Sequence, residues 1–416
     1  MKILVVTQYF WPENFRINEI VEELQGRGHQ VSVLTGIPNY PDGVVFPDFR
    51  KSPQSFSRYR EAEIFRVPMF PRGNGKLSLI LNYLSFALNG CLAGAWKLRG
   101  RKFDAILAFE PSPITVGIPS AFMRWIKKAP QAFWVLDLWP ETLKAINVLH
   151  SSFSLNLVDK LVRFVYKRCD LILAQSNSFI SYIREQVDAG KRIEYFPAWP
   201  EAVNWDLSEI SPAPELEHRP DLFTVLFAGN IGEAQDFPAI LDAAERIREH
   251  KSIRLVIVGD GRDAQRVADR VTQSALEDSF LMLGRFELER MPEFFVHANA
   301  LLVSLKDEPI FSMTIPGKLQ SYLATGIPVL AMLNGEGADV VANAGAGLVC
   351  KAGDSEQLAD NIIHLAQMDD DERQQMGKNG KAFCNREFDK RLLLNQLETW
   401  LSRLSDSTLT EIERSN

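Results

Sequence analysis

The sequence predicts an α/β protein of two Rossmann-like domains in tandem, facing a common cleft. Three observations predict it. The chain has 416 residues, too many for one ordinary hydrophobic core, and two domains of about 200 residues follow. Short apolar runs alternate with longer helix-period stretches over most of the length. The alternation breaks once, from Tyr195 to Leu222, into the proline-rich and acidic "YFPAWPEAVNWDLSEISPAPELEHRPDL".

The first domain is placed at 1–197. Its strands are read at 3–7 (ILVVT), 31–35 (VSVLT), 104–109 (DAILAF), 132–138 (AFWVLDL) and 171–175 (LILAQ), continuous apolar runs of the kind that parallel strands buried on both faces require. Helical periodicity fills 17–26 and 155–168 between them. Residues 198–222 are read as the interdomain linker. A second series, 223–385, places strands at 223–229, 253–259, 279–284, 300–305 and 328–332, with helices around 237–249, 262–275, 288–297 and 317–325. An amphipathic helix is expected at 389–404, and a frayed tail at 405–416. Open parallel sheets bind ligands outside their strand carboxyl ends, so the cleft is the expected site.

Composition bounds the chemistry. Hydrophobic residues make up 46% and charged residues 24%, ordinary for a globular protein, and a net charge of −7 argues against general nucleic-acid binding. Cys91, Cys169, Cys350 and Cys384 lie far apart with no CxxC spacing, and the six histidines are scattered, so neither a zinc site nor a disulfide framework is indicated. The start, "MKILVVTQYFWPENF", suits a first buried strand better than a signal peptide. A cytoplasmic protein is expected.

Residues 77–96, "LSLILNYLSFALNGCLAGAW", carry no charge. Ser78, Asn82, Ser85 and Asn89 recur at helical spacing, which gives one polar face and a wide apolar one. Arg66, Arg72 and Lys76 precede the stretch, and Lys97, Arg99, Arg101 and Lys102 follow it. Three readings stand: a helix packed in the core, a helix docked on an anionic membrane surface, or a spanning helix.

HExxH, GxSxG, the Walker lysine and a strand-linked GxGxxG are all missing from the sequence. Instead, glycine-bearing loops follow strands of the second domain: "AGNIG" at 228–232, with Gly229, Asn230 and Gly232, "GDG" from Gly259, "GR" with Arg285, and "PGK" with Gly317 and Lys318. Glycine admits a phosphate close to the backbone, and amides at a helix start favour an anion. A lysine at a helix start opposes the macrodipole, unless helix and lysine grip one anion from two sides. In the first domain, Glu13 and Arg16 follow the first strand, and Asp137 and Glu141 follow the fourth, within reach of the cleft. For Asp137 and Glu141, capping of a helix is the competing reading.

The segments "MKILVVTQYFWPENFRINEIVEELQGRGHQVSVLTGIPNYPDG", "FWVLDLWPETL", "FAGNIGEAQDF", "IVGDGRD", "LGRFELERMP" and "TIPGKLQSYLATGIPVLAMLNGEGA" resemble the retaining GT-B glycosyltransferases of family 4. They look most like the bacterial branch that builds O-antigen and capsule repeat units, including transferases of N-acetylated amino-deoxysugars such as L-fucosamine. The resemblance runs from Met1 to about residue 400. It implies a GT-B fold, a UDP-sugar as substrate with no cofactor and no metal, and a C-terminal helix, 386–404, returning to the first domain. Because helix 77–98 would bring the cleft to the bilayer, a lipid-linked acceptor such as an undecaprenyl-diphosphate sugar is expected, with a peripheral place on the cytoplasmic face of the inner membrane.

By the same resemblance, Gly229, Asn230, Gly232, Gln235, Gly259, Arg285, Gly317, Lys318 and Glu336 face the donor. Glu13, Arg16, Tyr40 and Glu141 face the acceptor. Asp137, Lys318 and Glu308 carry the chemistry. The sequence departs from the family where an arginine and a lysine usually hold the diphosphate, since Asn230 and Gln235 stand there. It departs again where two glutamates eight apart are usual, since Met313 and Ser321 stand there, which leaves Asp307 or Glu308 to supply a carboxylate at the sugar. Two alternatives accompany the transferase reading: a GT-B sugar-nucleotide epimerase, which needs no acceptor, and a nucleotide-sugar-binding scaffold without turnover.

Overall fold

The computed structural model describes residues 1–73, 75–145, 151–201 and 205–415, the side chains of Lys76 and of 407–415 excepted. The chain forms two compact units, Met1–Phe196 with Arg391–Asn416, and Pro197–Lys390.

In the first unit, strands β1 (Lys2–Val6), β2 (Gln30–Thr35), β3 (Arg58–Tyr59), β4 (Ala62–Arg66), β5 (Ala105–Glu110), β6 (Gln131–Val135), β7 (Leu171–Ala174) and β8 (Arg192–Tyr195) form one sheet in the order β3-β4-β2-β1-β5-β6-β7-β8. Only the β3–β4 pair is antiparallel. Helices α1 (Arg16–Gly26), α2 (Pro47–Lys51), α3 (Lys76–Lys97), α4 (Gly117–Lys127), α5 (Glu141–Ala145), α6 (Ser152–Arg168) and α7 (Asn177–Arg184) connect them. The central strands β5, β6 and β7 are buried along their whole length, because crossover helices cover both faces of a parallel sheet. Strand order reverses between β1 and β5, which makes the crevice at their carboxyl ends the topological switch point.

The second unit repeats the plan with β9 (Phe223–Ala228), β10 (Ile253–Val258), β11 (Phe280–Gly284), β12 (Ala300–Ser304), β13 (Val329–Met332) and β14 (Gly347–Cys350), in the order β11-β10-β9-β12-β13-β14. Its helices are α8 (Phe237–Arg246), α9 (Ala264–Gln273), α10 (Met291–Phe295), α11 (Pro309–Met313), α12 (Gly317–Thr325), α13 (Glu336–Ala344), α14 (Ser355–Gln367) and α15 (Asp370–Glu387). Here the switch point lies between β9 and β12.

Two boundaries differ from the sequence reading. The stretch 198–222 is no free linker, because Ala213 and Leu216 are buried in the core of the second unit and Trp205 stacks on Phe295; its residues 202–204 lie outside the described ones. The tail from 405 continues the last helix, α16 (Lys390–Ser415), instead of fraying; Asn416 lies outside the described residues. That helix belongs to the first unit. Arg27 donates to Asn395 and Glu398 at 2.7 and 2.8 Å, His29 Nε2 lies 2.8 Å from Glu398, and the Trp400 ring meets Phe196 edge-on.

Candidate active site

In the second unit, the residues around Lys318 converge on the switch point. β9 ends at Ala228, and Gly229 follows with φ +138°, a conformation that side-chain-bearing residues rarely adopt. Gly259, after β10, has φ +154°, and a Cβ there would lie 1.8 Å from the carbonyl oxygen of Gly229. Glycine at both positions lets the two loops touch backbone to backbone.

Lys318 is the second residue of α12 and crosses this loop. Its Nζ lies 3.7 Å from the Phe227 ring centroid and 3.0 Å from where a Cβ on Gly229 would be. The amine is buried without a hydrogen-bond partner, although part of the residue remains exposed. Burial pushes it down from the ordinary 10.5 to about 7. One turn on, the Tyr322 hydroxyl accepts from the Ala228 amide at 2.8 Å and reaches the Ala228 carbonyl at 3.1 Å, fixing α12 against the end of β9. Lys318 is therefore no solvent-facing first-turn residue. A ring face and a glycine loop leave its amine with no anion of the protein's own.

The other donor-side candidates divide. Asn230 donates to Gln235 at 3.4 Å, and the loop they share with Gly232 is held to the end of β12 by Ser304 Oγ on the Gln235 carbonyl and by the Lys306 amide on Ala234. Lys306, which the sequence reading passed over, brings a second cation to the switch point but spends it on Glu233 at 3.1 Å. Gly317 opens α12, and a Cβ there would meet nothing within 4 Å. Glu336 begins α13 after Gly335, where φ is +66° and a Cβ would lie 2.1 Å from the Ser312 carbonyl oxygen, which excludes any side chain.

Arg285 does not join them. It is exposed on the loop after β11, the outermost strand, two strands from β9. The backbone carbonyl of Glu308 accepts from Phe311 and Ser312 at the start of α11, and Asp307 accepts from Asn334 at 2.8 Å. Ser321, in place of a glutamate, is buried and accepts from the Glu201 amide.

In the first unit, Asp137 lies two residues past β6. Its carboxylate accepts from Trp139 Nε1 at 3.1 Å, from Thr142 in the first turn of α5, and from Ser112. Burial raises it above the ordinary Asp range, and those donors oppose the rise. Ser112 sits at φ +126°, a strained conformation for a non-glycine residue, and also bonds Tyr83 of α3, whose ring meets Trp139 edge-on. Below them Glu110, the last residue of β5, is fully buried, with no side chain bonded to its carboxyl; burial, then the nearby Asp137, pushes it well above the usual carboxylate range, and the Asp137 and Leu136 amides oppose the rise. Sequence reasoning missed Ser112, Tyr83 and Glu110.

Two acceptor-side candidates are bonded within the first unit. Glu13 is buried, and its carboxylate accepts from the amides of Phe10, Asn39 and Tyr40 at 3.0, 2.8 and 2.8 Å. It clamps the loops after β1 and β2, and burial pushes it up to about 7. Glu141 accepts from Lys144 at 2.8 Å and from Tyr182 of α7 at 3.0 Å, which makes it a brace between helices. Tyr40 stays in play, packed on Tyr9 and Phe15 with the Arg72 guanidinium 5.3 Å from its ring centre. Arg16 opens α1 and is half-buried.

Residues 14–199 match the family described as Glycosyl transferase 4-like domain, and residues 213–383 match Glycosyl transferases group 1. The chain belongs to the group 1, family 4 glycosyltransferases. A relative in Escherichia coli K12, WcaI, described as a colanic acid biosynthesis glycosyl transferase, is 26% identical over 353 residues, 78% of this chain and 82% of that protein. The sucrose-phosphate synthase of Thermosynechococcus elongatus superposes with a TM-score of 0.71 at 16% identity, over 98% of this chain and all of that one. HepE of Anabaena, solved with UDP and glucose, gives 0.68 at 16% identity, over 97% and 99%. The fold of this glycosyltransferase is GT-B.

Proposed function

We propose that this glycosyltransferase moves a sugar, with retention, from a UDP-sugar to a lipid-linked saccharide in assembly of a surface polysaccharide. An N-acetylated amino-deoxyhexose such as L-FucNAc is the proposed sugar, and an undecaprenyl-diphosphate saccharide the proposed acceptor. The observation that carries this reading is the unpartnered amine of Lys318 against Gly229 at the switch point. HepE supports the donor class by its solved UDP complex, and WcaI supports the polysaccharide setting.

The donor diphosphate lies over the Gly229 and Gly259 loops, beside Lys318. There the amine takes up a proton and becomes the counter-ion of the leaving phosphate, in a site where charge is poorly screened. Its attraction grows as the bond to the sugar breaks, so it favours the transition state over the bound donor. The departing phosphate takes the acceptor proton on the same face, and the first unit, with Asp137, binds the acceptor. The acceptor arrives at the cytoplasmic face of the inner membrane, where the apolar face of α3 docks.

Thermal shift with UDP, GDP and dTDP, together with their sugars, tests the donor assignment. UDP compounds should raise the melting temperature most, since a ligand of the native state stabilises by mass action. Mass analysis of the products tests the reaction. A new sugar on the lipid acceptor is the expected result; an epimer formed without acceptor would establish the epimerase, and UDP binding without turnover the scaffold.

Gly229→Ala should separate the site from the fold. Its added methyl meets the Lys318 amine at 3.0 Å in a backbone conformation that alanine resists. A loss of about 1–3 kcal/mol of stability is expected, together with loss of most of the stabilisation by UDP. Retained UDP stabilisation would place the diphosphate elsewhere.

A further inference from the structure

The polar stripe of α3 faces inward. Asn82 accepts from Gln8 at 2.7 Å and donates to the Phe70 carbonyl at 2.6 Å, Ser85 accepts from the Phe70 amide at 2.9 Å, and Asn89 donates to the Pro68 carbonyl at 2.8 Å. Gly90 and Gly94 seat the helix closely against Pro119 of α4 and Leu34 of β2. The apolar face is left outside: Leu77, Leu81, Leu84, Leu88, Leu92 and Trp96 are 41–71% exposed. A surface helix of a water-soluble domain has the opposite arrangement.

The exposure continues on its neighbours. α4 packs against both α3 and α6, with Gly117 of α4 against Val165 of α6. Trp125 of α4 is 72% exposed, and Phe153, Leu157 and Phe164 of α6 are 78%, 62% and 41% exposed. Of the fourteen exposed large hydrophobic residues among the described ones, eleven lie on these three adjacent helices, a concentration that marks an interaction surface.

Charge selects the occupant. The three helices carry eight lysines and arginines and one acidic residue, Asp159, in a chain whose net charge is −7. Arg99 lies over the Trp96 ring at 4.4 Å and Arg168 over Phe164 at 3.6 Å, pairing aromatic and basic groups as at a lipid–water interface. A two-fold contact with a second copy would bring like charge against like charge. An anionic bilayer opposes none of it. α3 is long and apolar enough to cross a membrane, yet its asparagines and Ser85 are bonded into the unit, so it lies along the surface.

We propose that α3, α4 and α6 form one docking face for an anionic lipid bilayer, with Phe153, Leu157 and Phe164 of α6 as a second apolar ridge beside α3. This widens the docking assigned above to α3 and does not depend on the identity of the donor. The test is flotation of the full chain with vesicles of phosphatidylglycerol and phosphatidylethanolamine, against phosphatidylcholine alone. Wild type should float with the anionic vesicles, and less so as salt rises. Phe153→Ser/Leu157→Ser/Phe164→Ser should lower the bound fraction roughly tenfold or more while keeping the melting temperature and its rise with UDP. Lys160→Glu/Lys167→Glu should remove the preference for anionic vesicles.

Should the triple variant fail to fold, Phe153→Ser alone, at the most exposed position, gives the same comparison with a smaller loss. If the α6 variants float like wild type while Leu77→Glu/Leu81→Glu/Leu84→Glu does not, the second ridge is overturned and docking on α3 stands. If wild type ignores vesicles and is a dimer that the α6 variants convert to monomer, the occupant is a second copy and the bilayer is excluded.

Discussion

Lys318→Ala is expected to lower turnover by roughly two to three orders of magnitude, which is about 3–4 kcal/mol of transition-state stabilisation, the scale of removing one preorganised donor from developing charge. Binding of free UDP should weaken less. Lys318→Arg should recover only part of the activity, because a planar fork cannot occupy the space between the Phe227 ring and Gly229 as one ammonium does. Lys318→Met gives the opposite sign in stability. The folded amine titrates at about 7 against an ordinary 10.5, so between those values the unfolded chain binds the extra proton, and native stability rises with pH across that window. The buried amine costs most at and below pH 7. The methionine variant should therefore melt a few degrees higher in the empty state, by about 2–4 °C per kcal/mol for a unit of this size, with the gain fading toward pH 10. Nucleotide binding above pH 7 should take up one proton, measurable by calorimetry in buffers of different ionisation heat. Normal kinetics in the alanine variant would move the diphosphate away from Lys318.

Lys318 was legible because it breaks a local rule: a cation at a helix start needs a reason. The central strands were legible as well, since runs such as FTVLFA are buried throughout and occupy Phe223–Ala228 within a residue of the expectation. Strands β4 and β8 escaped because half-buried, charge-bearing runs, AEIFR and RIEY, carry no such signal, and β14 because its run, GLVC, is four residues long and mostly half-buried. Periodicity correctly divided α3 into two faces and was silent on which one meets the protein. That choice is made by Gln8, Pro68 and Phe70, up to 74 residues away in sequence. Glu13 is the same case, since two of the three amides bonded to it belong to Asn39 and Tyr40. Glu110 was hidden in plain view. A carboxylate ending the run AILAFE reads as the strand's exit into solvent, and only the packing around β5 shows that it never leaves the core.

Asp137→Asn is expected to reduce turnover about a hundredfold or more while the rise in melting temperature with UDP stays close to wild type, since the donor loops lie in the other unit. Some stability should be lost too. Trp139, Thr142 and Ser112 all donate to this carboxylate, and an amide nitrogen must face one of them, costing about 1–3 kcal/mol. Glu110 supplies the control. Burial, with Asp137 nearby, holds the Glu110 carboxyl well above the usual carboxylate range, so Glu110→Gln, which keeps the shape and removes only the titrating group, should leave turnover within several-fold of wild type. Burial raises both carboxyls, but Asp137 alone has the Thr142, Trp139 and Ser112 side chains opposing the rise, so of the two it is the one held toward the anion. The pH profile checks the division. Asp137 titrates above the ordinary Asp range, so turnover should fall on the acid side through a limb raised above that range, and this limb should vanish from the residual activity of Asp137→Asn but persist in Glu110→Gln. An asparagine variant that melts lower yet turns over normally would show that Asp137 only anchors the first turn of α5.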